Sequence, residues 1–218
     1  MSVFVAEELS EVLNTKVVIG RINMGLLNRI IIDDVLLDDQ SGQEMLKVTR
    51  LSAKFDIMPF FKGKISISSV QLFGFNINLR KETPDSPPNF KFVLDAFASK
   101  DTVKKENSLD LRINSILIRR GRMSYHVLSE EETPGKFNAK HIQLQNIIAN
   151  ISLKALSKDS LNLGIKRLSL DEKASGFSLK KMSLKLVANN KQTNIDNFTI
   201  ELPETSLKLD TIHLEYDS

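Results

Sequence analysis

Three histidines, His126, His141 and His213, are the side chains in this chain best suited to proton transfer or metal ligation, and they lie far apart in the sequence. Each falls in an alternating, strand-like segment. A metal cluster would therefore need the fold to bring them together, and no carboxylate spacing supports one. The densest acidic patch is Asp33-Asp34 followed by Asp38-Asp39-Gln-Ser-Gly42. As a calcium loop it fails, because the twelfth position counted from Asp38 is Thr49, where a bidentate glutamate is needed. It reads as a polar hairpin turn closed by Gly42. Gly63 and Gly74 occur singly, so no glycine-rich phosphate cradle is present, and no Gly-x-Ser-x-Gly elbow occurs. The basic run Arg119-Arg-Gly-Arg122 has the chemistry to meet phosphate or lipid headgroups, and reads first as a solvated strand end. Asn150-Ile-Ser and Asn197-Phe-Thr match the glycosylation pattern but sit inside expected strands and carry no weight. The chain has no cysteine, which removes thiol catalysis, disulfides and thiolate zinc sites. We therefore expect a non-enzyme without catalytic residues, metal or cofactor. A polar pocket around His126 or His141 would be needed to revive an enzymatic reading.

The elements around these residues are read from hydrophobic spacing. Of the 218 residues 41% are hydrophobic, enough for a sizeable core. The net charge of +3, from 30 basic and 27 acidic residues, is too balanced for a nucleic-acid binder. No run of about 18 apolar residues exists, and the first residues lack the features of a secretion signal, so any membrane anchor of a parent protein is expected outside this segment. Val3, Phe4, Val5, Leu9, Val12 and Leu13 predict an amphipathic helix over 3–14. The loop Thr83-Pro-Asp-Ser-Pro-Pro88 leads to Asn89 as a cap and a short apolar helix over 89–98, with Phe90, Phe92 and Phe97, packed on the sheet or capping one of its ends. Elsewhere the period is two, as in residues 64–68, in Phe73-Gly-Phe-Asn-Ile-Asn-Leu79 and in Ser160–Ile165. Ser129–Lys136 is a surface turn between long strands.

A slipped repeat, apolar-x-x-apolar-x-apolar, runs through this alternation. It begins at Ile19, Ile32, Val48, Ile67, Ile113, Leu144, Ile165, Leu179, Ile195 and Leu209, and the last four starts are 14, 16 and 14 residues apart. A one-residue slip inverts every following side chain unless the strand bends there, so a bend recurring strand after strand would curl the sheet. Steps of this length suit one long strand plus a tight turn. The expected fold is therefore one mainly-β domain over 1–218, an elongated, curled antiparallel meander forming an open trough, with an N-terminal helix and one inserted helix. A closed sandwich or barrel core is the alternative. An uncovered apolar face needs protein or an apolar ligand such as lipid acyl chains over it.

Thr15-Lys-Val-Val-Ile-Gly20, Asn28-Arg-Ile-Ile-Ile-Asp-Asp-Val35, Arg50-Leu-Ser-Ala-Lys-Phe-Asp56, Gly63-Lys-Ile-Ser-Ile67 and Val70-Gln-Leu-Phe-Gly74 follow one another in an order that resembles the AsmA-like family, which includes the translocation and assembly module protein TamB, in its Bacteroides-type version. Ser175-Gly-Phe-Ser-Leu179 and Glu201-Leu-Pro-Glu204 look similar to its continuation. The resemblance implies an open β-trough in the periplasm, joined to the inner membrane by an N-terminal anchor absent from this segment, along which phospholipid passes between inner and outer membranes. For TamB-like members it implies cooperation with an outer-membrane barrel partner in assembling the envelope. It brings no catalytic residues and no nucleic acid. On the groove reading, Phe73, Phe75, Ile77 and Leu79 are wall residues, with Ile113, Ile165, Leu179, Ile195 and Leu209 as neighbours.

Overall fold

The computed structural model describes residues 2–26, 28–55, 67–98, 114–157 and 160–216. Helix α1 spans Ser2–Leu13. It stops where Asn14 adopts a left-handed φ of 48° and the Thr15 N–H bonds back to the Ser10 carbonyl, a polar residue relieving the end of the helix. Ala6, Val5 and Leu13 pack inward, while Val3, Phe4, Leu9 and Val12 face solvent. Ten strands form one sheet: β1 Val17–Gly25, β2 Arg29–Asp38, β3 Glu44–Phe55, β4 Ile67–Lys81, β5 Ser115–Val127, β6 His141–Ser157, β7 Ser160–Glu172, β8 Ser178–Asn189, β9 Gln192–Glu201 and β10 Ser206–Glu215. The sheet order is the chain order, and the sheet is open and not closed into a barrel.

Eight of the nine pairings are antiparallel, as a meander requires. The ninth, β4 with β5, is parallel and makes the sheet mixed. The expected antiparallel meander thus holds at every pairing but this one, which departs from it for a physical reason. Parallel neighbours need a crossover of a dozen or more residues, and the long insertion between Lys81 and Ser115, which carries the second helix α2 (Lys91–Ala98), supplies it. Asn89 does not cap α2. Its side chain accepts from the Arg80 N–H at 3.0 Å and donates to the Asn78 carbonyl at 3.0 Å, clamping the loop onto β4. Phe90, Phe92 and Val93 then join the core formed by Ala6, Val17, Ile19, Leu37 and Met45, so this insertion and α1 cover the first strands together. Residues 64–66, the polar stretch 99–108 and Ile113 lie outside the described residues, as does the side chain of Phe97.

The slipped repeat corresponds to a crease. Asp34, Gly74, Arg120, Asn146 and Asn197 all have φ between 53° and 63° inside strands, and regular pairing is interrupted beside each of them. Asp34 and Asn146 occupy the third position of their repeat copies, as does Asn197, and Asn and Asp tolerate this backbone region best after glycine. Thr49 in β3 stands opposite Asp34 and Gly74, between the paired positions Val48 and Arg50, so the interruption is passed from strand to strand. In β4 and β5 the slip falls at Leu72-Phe-Gly-Phe75 and Ile118-Arg-Arg-Gly121, not at the copies beginning at Ile67 and Ile113. At each left-handed residue the strand bends and its local twist increases, which curls the sheet.

Candidate functional site

Residues directly opposite in neighbouring strands share a face, so the register traces rows across the sheet. One row is aliphatic through all ten strands: Ile22, Ile32, Leu51, Leu72, Ile118, Ala149, Leu168, Met182, Ile200 and Leu207. Beyond it runs Met24, Ile30, Ala53, Val70, Ile116, Ile151, Ile165 and Leu184. On the other side of the crease lie Ile19, Val35, Val48, Phe75, Gly121 and Ile147. Val48, Phe75 and Ile147 are buried, and Leu51, Leu72, Ile118 and Leu170 pack against them, so the rows on both sides of the crease belong to one apolar face.

The glycine at 121 lets this centre close. A Cβ there would fall 2.3 Å from Phe75 Cζ and 3.0 Å from Ile147 Cβ, so the Phe75 ring occupies the space above the glycine backbone. Away from this centre the cover is uneven: Ala149 and Leu179 are buried, whereas Met24, Leu207 and Leu209 are exposed. Ile195 lies between Leu186 and Ile212, and Leu209 faces Phe198. Among the described residues neither helix packs on β5 to β10.

The structure places the expected wall residues unequally. Phe75, Ile77 and Leu79 share the apolar face, Ile77 packing beside Phe75 and Leu79 facing Tyr125. Ile165 and Leu179 join them, Leu179 opposite Leu170. Phe73 does not, and the expected simple alternation from Phe73 to Leu79 is corrected. Left-handed Gly74 inverts the strand between them, so Phe75 is 7% exposed while Phe73 is 38% exposed on the opposite face.

That opposite face is charged. Phe73 lies in a row with Arg21, Asp33, Arg50 and Arg119, and Arg120 stands 5.1 Å over its ring, a cation–π contact. Arg50 grips Asp33 with two hydrogen bonds of 2.6 and 3.2 Å, which hold the Asp33 carboxyl below its ordinary range. The basic run is thus solvated, in the middle of β5 rather than at a strand end.

Two polar networks at strand ends hold residues singled out above. The β2–β3 turn closes on Gly42 with φ 79°, as its composition predicts. Its Asp39 is only 1% exposed, ion-paired to Arg80 at 2.6 Å and hydrogen-bonded by Ser41, Gln43 and Asn89. Burial acts to raise its pKa, but these donors outweigh it and the carboxyl titrates below its ordinary value.

The second network gathers two of the three histidines. His126, near the end of β5, is the register partner of His141, which opens β6, and their Nδ1 atoms are 3.0 Å apart. His213 stays on β10 with Asn194 and Glu215. The coincidence of fold that a metal cluster would need is therefore present for one pair. The sequence signal for it is the placement of His126 and His141 on either side of the turn Ser129–Lys136, which strand pairing across that turn converts into contact.

No protein-family model matches this chain, and no curated protein matches it in sequence. The likeness to the AsmA-like family rests on the residues quoted for it.

Proposed function

We propose that this chain is a non-catalytic envelope-biogenesis module whose apolar sheet face shelters phospholipid acyl chains on their way between inner and outer membranes. The observation that carries the reading is the aliphatic row from Ile22 to Leu207, unbroken through ten strands of an open sheet. Apolar rows of this extent are rarely left in water, and a lipid tail is the ligand that matches them without asking for polar partners. The likeness to the AsmA-like family supports the same reading, and a periplasmic location is part of the proposal. Phe75, Ile77 and Leu79 line the floor near the crease, with Ile165, Leu179, Ile195 and Leu209 continuing it. Phe73 belongs to the charged outer face, and Ile113 lies outside the described residues.

A second reading is favoured by the self-filled centre around Val48, Phe75 and Ile147. On it the sheet is a scaffold that helps an outer-membrane barrel partner assemble proteins. Native mass spectrometry of the chain purified from bacterial membranes, with lipid extraction alongside, separates the two. The lipid reading expects co-purifying phospholipid that is lost in Ile195→Asp while circular dichroism keeps its strand signal. A stable, lipid-free protein would overturn it in favour of the scaffold.

A further inference from the structure

The β5–β6 hairpin closes with a group of side chains that neither the lipid face nor the scaffold reading uses. His126, Glu132 and His141 bring one ligand atom each within 4.8 Å of one another. We propose that these three residues bind a divalent transition-metal ion of the zinc type, leaving a fourth position for water.

The geometry is set by the chain on both sides. Register pairing of His126 with His141 fixes both backbones, and His141 is buried at 7% exposure. The Nε2 atom of His141 lies 2.9 Å from the Glu130 carbonyl. A carbonyl only accepts, so Nε2 carries the hydrogen, and in the neutral ring the lone pair is on Nδ1, which faces His126. An imidazole held by a carbonyl through one nitrogen while the other is bare is the arrangement that orients metal-ligating histidines.

Distances and donor types favour the same class of ion. Two zinc–nitrogen bonds of about 2.0–2.1 Å at a tetrahedral angle set their nitrogens about 3.3 Å apart. The two Nδ1 atoms stand at 3.0 Å and need to part only slightly. Glu132 Oε1 lies 3.8 Å from one Nδ1 and 4.0 Å from the other, nearly equidistant, on a side chain that is 63% exposed and able to swing inward. Imidazole nitrogen with a single carboxylate suits zinc and its first-row neighbours, whereas calcium and magnesium call for oxygen donors. Such an ion would staple the turn between β5 and β6. Without it, the same pair is an ordinary hydrogen bond between two imidazoles.

Titration of the untagged, chelator-treated chain tests the site, with Zn2+ followed by calorimetry and Co2+ by visible absorption. The expected result is one equivalent bound, weakened about tenfold or more by Glu132→Gln and by His126→Asn, and unchanged by His213→Ala. Because Glu132 is largely exposed, its variant keeps the fold and isolates the ligand role. Saturating Zn2+ is also expected to raise the melting temperature of the unsubstituted chain but not of His126→Asn. The site is overturned if Zn2+ binds the unsubstituted chain no more tightly than a His126→Asn/His141→Asn double variant, or if binding is lost with His213.

Discussion

Glu172, the last residue of β7, shows how much one side chain can contribute where, among the described residues, no helix packs on this part of the sheet. It is 3% exposed, and its carboxylate accepts from the N–H groups of Gln143, Ala174 and Ser175 and from the Ser175 hydroxyl. Burial pushes its pKa up, but these donors outweigh it and bring the carboxyl down to about 2 from 4.5. Its unfolded state thus binds the proton at higher pH than the folded state does. The stabilisation is complete above about 4.5 and is lost as the pH falls toward about 2. Glu172→Gln is expected to cost about 1–3 kcal/mol at neutral pH. Denaturant unfolding at a series of pH values should show the two proteins converging in acid. Asp39 teaches a related lesson. Its turn is legible in Asp38-Asp39-Gln-Ser-Gly42, but its burial is not, because Arg80 and Asn89 come to it from far along the chain.

At the level of elements, the repeat is legible from its apolar spacing, and Asp34, Asn146 and Asn197 supply the left-handed position in their copies. In β4 and β5 glycine and arginine hold that position, and neighbouring apolar residues offer a false frame. Reading Phe73 as a wall residue rests on the same frame, which left-handed Gly74 inverts. A test follows from the difference between these positions. Gly74→Ala would put a Cβ 2.7 Å from Thr49 Oγ1 at a φ of 63°, and is expected to cost about 1–3 kcal/mol in equilibrium unfolding. Asn197→Gly keeps the same backbone and is expected to stay within about 0.5 kcal/mol of the parent. Equal losses at both sites would mean that the left-handed residues are incidental to the crease.

For the whole molecule, a meander follows from the regular spacing of the last strands, whereas the strand order and the parallel joint between β4 and β5 do not, since nothing local fixes the direction in which an insertion returns. Among the described residues the open sheet has β1 and β10 as unpaired edges, and β10 exposes Leu207, Leu209 and Leu214. Unpaired backbone beside exposed leucine is a template for strand addition. The isolated chain is therefore expected to self-associate with rising concentration in analytical ultracentrifugation, and Leu209→Lys to shift it toward monomer. The open sheet also fixes how the molecule would answer a load. With nine inter-strand gaps at about 4.8 Å, the sheet is about 43 Å wide. A tug across that width meets one ladder at a time, as a zipper does, while a tug along the strands meets many hydrogen bonds in shear. The protein is thus compliant in one direction and stiff in the other, and can lengthen by shedding an edge strand while the rest keeps its shape.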